Sequence, residues 1–255
     1  MLIIISPAKT LDYKTPTSIE RETEAPFLKE SQKLIRQLKK LKPNEISELM
    51  KVSSKIAYLN HDRFAQWQLP FPTGTTRQAL LAFKGEVFNG LDAYSFSQDD
   101  MYYAQEHLRI LSGLYGVLRP LDMMMPYRLE MGIKLVQGKN KNLYEFWGDK
   151  ITKNIQESIN KQGEKVLINL ASNEYYKSVK TSKINTQIIT PIFKEARGDQ
   201  YKVIVIFAKK ARGLMSRYII KNRIETPEEI KLFSEAGYFY NETLSNENEF
   251  VFTRG

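Results

Sequence analysis

Leu2-Ile3-Ile4-Ile5 is a run of four aliphatic residues that Pro7 cuts off almost at once. It is too short for a helix and apolar at every position, so it reads as a buried strand. The same plan, an apolar run ending in a polar loop, recurs along the chain. Leu2 to Ile5 leads into Ser6-Pro7-Ala8-Lys9-Thr10, Lys165 to Leu170 into Ala171-Ser172-Asn173, and Tyr201 to Phe207 into Ala208-Lys209-Lys210. Gln187 to Phe193 reads as another strand, assigned to a sheet edge because Pro191 lacks a backbone donor. Tyr238-Phe239-Tyr240 and Phe250-Val251-Phe252 read as a closing hairpin.

Between these strands the period changes. Leu28, Leu34, Ile35, Leu38 and Leu41 recur at helical spacing, Pro43 sits where a first helical turn tolerates it, and Ile46, Leu49 and Met50 continue the pattern. Arg77 to Phe83 reads as a short helix. Ser97 opens a longer one carrying Met101, Ala104 and Leu108, and Leu143 to Ile159 reads as one uninterrupted helix. Strands alternating with helices predict an α/β (α+β) fold, a mixed central sheet wrapped by helices in one compact domain spanning 1–255, with the helix-rich segment 27–160 layered on the sheet.

The helix expected after Phe207 carries the strongest charge pattern. At about 100° per residue, Lys209, Lys210, Gly213, Arg217 and Lys221 share one third of the circumference, and Ala211, Leu214, Met215, Tyr218 and Ile219 share the opposite arc. Gly213 costs about 1 kcal/mol of helix propensity relative to Ala, which points to close approach by a phosphate or by another backbone. A merely solvated basic face would show the same charges. Residues 194–223 hold nine Lys and Arg against two acids, whereas residues 224–255 hold two against seven, within a net charge of +9. A basic element therefore precedes an acidic tail, and the favoured partners are DNA, a nucleotide or a phosphate.

The 255 residues contain no cysteine, which excludes disulfides, thiolate nucleophiles and iron–sulfur clusters and suits a reducing cytoplasm. The apolar opening is too short for a signal peptide or an anchor, and no run approaches membrane-spanning length, so no membrane partner is expected. His61 and His107 have no partner at ligand spacing; no metal and no cofactor is expected, and direct iron binding has little to rest on. Phosphate-loop and dinucleotide glycine motifs are absent.

In open sheets with parallel strands, ligands bind beyond the carboxyl ends. If the strands ending at Ile5, Leu170 and Phe207 are neighbours, Ser6, Lys9, Asn169, Ser172, Lys209, Lys210 and Arg212 line one pocket suited to a phosphate or carboxylate. Unconnected polar caps would read the same way. A second constellation runs from Leu111 to Asp122, where Gly113 and Gly116 resemble the turn of a helix-hairpin-helix module that aims amides at a DNA phosphate, one residue longer than the usual pattern. A plain glycine turn is the alternative. In Pro126 to Gly132, Tyr127 and Arg128, with Arg119 upstream, suit gripping backbone and base, while Glu130 suits orienting an arginine. Met123-Met124-Met125 reads as adaptable core filler.

These segments form an ordered set: Leu2 to Asp12, Leu111 to Asp122, Pro126 to Gly132, Phe146-Trp147-Gly148-Asp149, Ile168 to Ser172 and Phe207 to Gly213. Together they resemble the YaaA family of bacterial peroxide-stress proteins, nearly end to end. The resemblance implies a cytoplasmic protein of the hydrogen-peroxide response that limits iron-driven oxidative damage. It also implies an α/β fold with a helix-hairpin-helix-like element and a basic cleft binding duplex or branched DNA.

Two functions of different class are then expected. In the first, a DNA-binding protective protein, Lys9, Lys209, Lys210, Arg212 and Arg217 contact phosphates, the Gly113–Gly116 turn offers amides, Gly213 admits close approach, and Arg119, Tyr127 and Arg128 line the cleft. In the second, an enzyme acts on a nucleotide or nucleic-acid base held near Ser6, Lys9, Asn169 and Ser172, with Glu130 or Asp149 as the acid–base carboxylate. Convergence of these side chains on a deep pocket speaks for the second, and an open basic groove for the first.

Overall fold

Every residue of Leu2–Ile5 is buried, as a strand with apolar side chains on both faces must be, and it has parallel neighbours on both sides. The computed structural model describes residues 1–163 and 166–255. Its central sheet comprises β1 (Leu2–Ile5), β2 (Leu108–Ser112), β3 (Gly116–Leu118), β4 (Val166–Leu170), β5 (Gln187–Arg197), β6 (Gln200–Lys202), β7 (Phe239–Tyr240) and β8 (Glu249–Arg254). The spatial order is β7-β8-β5-β4-β1-β2-β3, with β6 added to β5. From β2 to β8 across the middle the strands are parallel; β3, β6 and β7 are antiparallel to their neighbours. This is an α/β fold. The expected start of β4 at Lys165 lies outside the described residues.

The helices used below are α1 (Leu28–Leu38), α2 (Pro43–Met50), α3 (Ser54–Gln66), α4 (Glu86–Leu91), α5 (Gln98–His107), α6 (Lys150–Lys161) and α7 (Val205–Lys221). α1 to α3 pack on one another, α5 lies on β1 and β2, α6 on β3, and α7 on β5 and α4. Ser97 caps α5 by accepting the Asp100 N–H at 3.1 Å, and the Asp100 carboxylate returns to the Ser97 N–H at 3.0 Å, a reciprocal capping box. The segment read as helix-rich thus also supplies two strands of the sheet, β2 and β3.

Four expectations are corrected. Pro191 does not sit at an edge, since β5 lies between β4 and β8. The Thr190 N–H bonds to the Asn248 carbonyl on the β8 side, so alternation turns the missing donor of Pro191 to the other side, where pairing with β4 has ended at Ile189. Tyr201 to Phe207 is not one strand: only Gln200–Lys202 pairs, and α7 already begins at Val205. A short apolar run does not by itself distinguish strand from helix; here Val205, Ile206 and Phe207 are 66%, 55% and 39% exposed on the first helical turn.

The single helix expected from Leu143 to Ile159 is broken by Gly148, at φ 51°, into Leu143–Trp147 and α6. The Gly113–Gly116 element is a β-hairpin between β2 and β3, with Ser112 paired to Gly116, and not a helix-hairpin-helix turn. Its glycines admit other parts of the chain. A Cβ on Gly113 would lie 2.2 Å from the Leu129 carbonyl oxygen, and one on Gly116, which has φ +70°, would lie 2.7 Å from the Trp147 ring. The turn is sealed by Trp147, whose Nε1–H donates to the Gly113 carbonyl at 3.0 Å, and by Tyr115, which accepts from Trp67 at 2.8 Å.

Candidate ligand-binding site

Parallel pairing of Ile5 with Leu170 brings the carboxyl ends of β1 and β4 side by side. The loops that leave them are stitched together at once. The Ser172 N–H donates to Ser6 Oγ at 2.8 Å, and the Ser6 hydroxyl donates to Ser172 Oγ at 3.1 Å. Beneath this junction Asn169 is buried and braces the strand end: its Oδ1 accepts the Ala171 N–H at 3.1 Å and its Nδ2 donates to Thr190 at 3.3 Å.

Above the junction opens a cavity of about 310 Å³. Ser6, Lys9, Glu130, Ser172, Lys209 and Arg212 line it, six residues that sequence reasoning singled out. The third loop of the expected set is not a strand end, because Lys209 and Arg212 lie within α7. What brings α7 to the cavity is its crossing with α4. A Cβ on Gly213 would stand 1.9 Å from the Val87 carbonyl oxygen, and one on Gly90 2.2 Å from the Lys210 carbonyl oxygen, so the two helix backbones meet without side chains between them. Gly213 therefore answers to another backbone and not to a phosphate.

The cavity walls also include Lys84, Gly85, Glu86 and Phe88 from the turn into α4, and Glu174 and Tyr175 after β4. Sequence reasoning missed these. A signal was present in Lys84-Gly85-Glu86, where a glycine between opposite charges opens a helix; it packs against the first loop, a Cβ on Gly85 falling 3.2 Å from that of Ala8.

Charge in the cavity is unevenly neutralised. Glu130 is buried, and its Oε1 accepts both Nε and Nη2 of Arg128 at 3.0 and 2.9 Å, with Lys9 Nζ at 3.4 Å. Its Oε2 is buried with no hydrogen-bond partner among the described residues. Glu174 is tied to the Gly132 N–H at 2.9 Å. Arg212 is half-buried, and burial pushes its guanidinium below the usual arginine value. Neither Arg212 nor Lys209 makes an ion pair with a carboxylate among the described residues. A partly desolvated cation without an ion-pair partner among the described residues, in a cavity shared with a second cation, has the chemistry to receive an anion.

The remaining expected contacts lie elsewhere. Lys210 is exposed and off the cavity wall. Arg217 clamps α7 to the end of α4, donating to Ser95 Oγ at 2.6 Å and to the Leu91 and Asp92 carbonyls at 3.3 and 3.2 Å. Arg119 is engaged by Asp122, Nε to Oδ1 at 3.0 Å, and closes its own turn. Tyr127 is buried with its hydroxyl 2.5 Å from Ser112 Oγ, so it cannot stack on a base. Arg128 holds Glu130. Asp149 is drawn away by Lys180 and Lys183, both at 2.5 Å, whose hydrogen bonds lower its carboxyl to about 2. Of the two carboxylates considered for acid–base work, only Glu130 faces the cavity.

Fold and site together define an α/β protein with a cavity at the carboxyl ends of its parallel strands. A family model described as peroxide stress protein YaaA matches residues 1–244. A UPF0246 protein of Teredinibacter turnerae is 55% identical over 254 residues, covering 100% of this chain and 99% of the relative. A UPF0246 protein of Saccharophagus degradans is 54% identical with the same coverage. The chain belongs to the YaaA family of peroxide stress proteins. No helix among the described residues is long and apolar enough to cross a membrane.

Proposed function

We propose that this family member serves the peroxide response as an enzyme acting on a nucleotide or nucleic-acid base held in the cavity at the strand ends. One observation carries the reading: Arg212, half-buried and without a carboxylate partner among the described residues, shares a cavity with Glu130, which keeps one carboxylate oxygen unengaged. Arg212 and Lys209 receive the phosphate, Lys9 bridges phosphate and carboxylate, the paired Ser6 and Ser172 hydroxyls orient the ligand, and Glu130 moves a proton at the reacting group.

The second reading is DNA binding through the basic surface. It is favoured by the exposure of Lys9, Lys209 and Lys210 and by the net charge of +9. The buried Gly113–Gly116 turn and Tyr127 leave that surface with fewer contacts than expected. Titration calorimetry with adenosine 5′-monophosphate and with a short duplex separates the two. The enzyme reading expects one nucleotide per chain, bound about tenfold more weakly by Arg212→Ala. The DNA reading expects duplex affinity that falls steeply with salt as counterions are released. Absence of nucleotide binding would overturn the first, and salt-independent duplex affinity the second.

A further inference from the structure

Glu130 stands where three cavities meet. It lines the 310 Å³ chamber with Arg212 and Lys209. It also lines a second chamber of about 580 Å³ bounded by Lys51, Ile133 and Lys134, and a small recess of about 10 Å³ shared with Tyr127, Arg128 and Tyr175. Lys9 borders all three. The carboxylate is divided in its duties: Oε1 takes both Arg128 donors, while Oε2 has none among the described residues. A buried anionic oxygen without a donor is costly, and it is retained where a function supplies the donor.

From this we infer that Glu130 selects the ligand. It accepts a hydrogen bond on Oε2 from an N–H or O–H of a molecule whose anionic group lies on Arg212 and Lys209. Arg128 fixes the carboxylate by its paired bonds to Oε1, so Oε2 is held for the incoming donor. Lys9 is the movable partner of Oε1. Its side chain is 67% exposed and is held by a single ion pair at 3.4 Å, a contact that costs little to break. An anion in the first chamber draws Lys9 off Oε1 toward itself and leaves Arg128 to hold that oxygen. The recess of about 10 Å³ beside Glu130 is close to the smallest space that holds one water, which gives the donor room to arrive. The ligand class is therefore an organophosphate with an amino, imino or hydroxyl group beyond its phosphate, as a nucleotide has, and not a bare anion. This rests on the proposed nucleotide site and adds its selectivity.

The test compares adenosine 5′-monophosphate with methyl phosphate, which carries the anion and no donor beyond it, by calorimetry on the full chain. Wild type is expected to prefer the nucleotide. In Glu130→Gln, whose amide oxygen still accepts from Arg128 but whose amide nitrogen cannot accept the ligand's donor, that preference falls about tenfold or more, while methyl phosphate binds as well as before or better. In Lys9→Met both ligands weaken and their ratio is kept. An unchanged preference in Glu130→Gln, or a collapsed ratio in Lys9→Met, overturns the assignment. Failure of wild type to bind either compound refutes the nucleotide site itself, so the two failures are distinguishable. Thermal unfolding of each variant separates a lost contact from a lost fold.

Discussion

The α-carbon side of Gly213 faces the carbonyl oxygen of Val87 so closely that a Cβ there would come within 1.9 Å of it. This contact, matched by Gly90 against Lys210, seats α7 on α4 and so delivers Arg212 to the cavity. The blocking atoms are backbone and cannot rotate away. Gly213→Ala is expected to destabilise the protein by about 1–3 kcal/mol or more through overpacking, although alanine is the better helix former. Chemical denaturation measures this. A neutral or stabilising result means that the helices are not in backbone contact.

Asp100 ties α5 to the end of α7, with Lys221 at 2.8 Å and Arg223 at 3.0 Å. Burial alone would raise its carboxyl, but Lys221, the Ser97 N–H and hydroxyl, and Arg223 outweigh it and hold it well below the usual carboxylate range. A carboxyl depressed in the folded state contributes stability above its unfolded value, near 3.8, and loses it as pH falls through and below that value. Wild type should therefore lose more stability than Asp100→Asn between neutral pH and pH 3. Equal acid slopes would contradict the link.

Lys209, Lys210 and Arg212 are adjacent in sequence but not in role. Arg212→Ala and Lys209→Ala should each weaken nucleotide binding about tenfold, the scale of one charge-assisted hydrogen bond, whereas Lys210→Ala leaves it unchanged. If DNA is bound, Lys210→Ala should weaken duplexes of every sequence alike and lower the salt slope by about one. Titration of the three single variants checks both statements.

In a strain lacking the gene, Arg212→Ala and Glu130→Gln, expressed at wild-type levels, should fail to restore growth in hydrogen peroxide, while Lys210→Ala restores it. Survival counts after a peroxide pulse measure this. Full rescue by Arg212→Ala would separate the stress role from the cavity.

The buried strands were legible because they are apolar on both faces, as in Leu2–Ile5 and Val166–Leu170, and their polar exits led directly to Ser6, Lys9 and Ser172. α7 was legible by its periodicity from Ala208 onward. Its first turn was not, because Val205, Ile206 and Phe207 are apolar yet exposed, and exposure is invisible in a run of that length. The glycines misled for a different reason. A glycine marks close approach without saying by what: Gly213 meets Val87, Gly113 meets Leu129, and Gly116 meets Trp147, all from parts of the chain distant in sequence. The same holds for Arg217 and Asp149, whose charges are engaged by partners that only the fold brings near, whereas Arg119 is taken by Asp122 within its own turn. Lys84 and Glu86 flank a glycine that marks their turn, but only tertiary packing brings that turn to the cavity.

The central claim is that the strand-end cavity is an anion-receiving ligand site, and a crystal structure grown with adenosine 5′-monophosphate tests it most directly. The account predicts density for the phosphate between Arg212 and Lys209, with the nucleoside reaching toward Glu130. Density on the outer face at Lys210, or an empty cavity at saturating nucleotide, would contradict it.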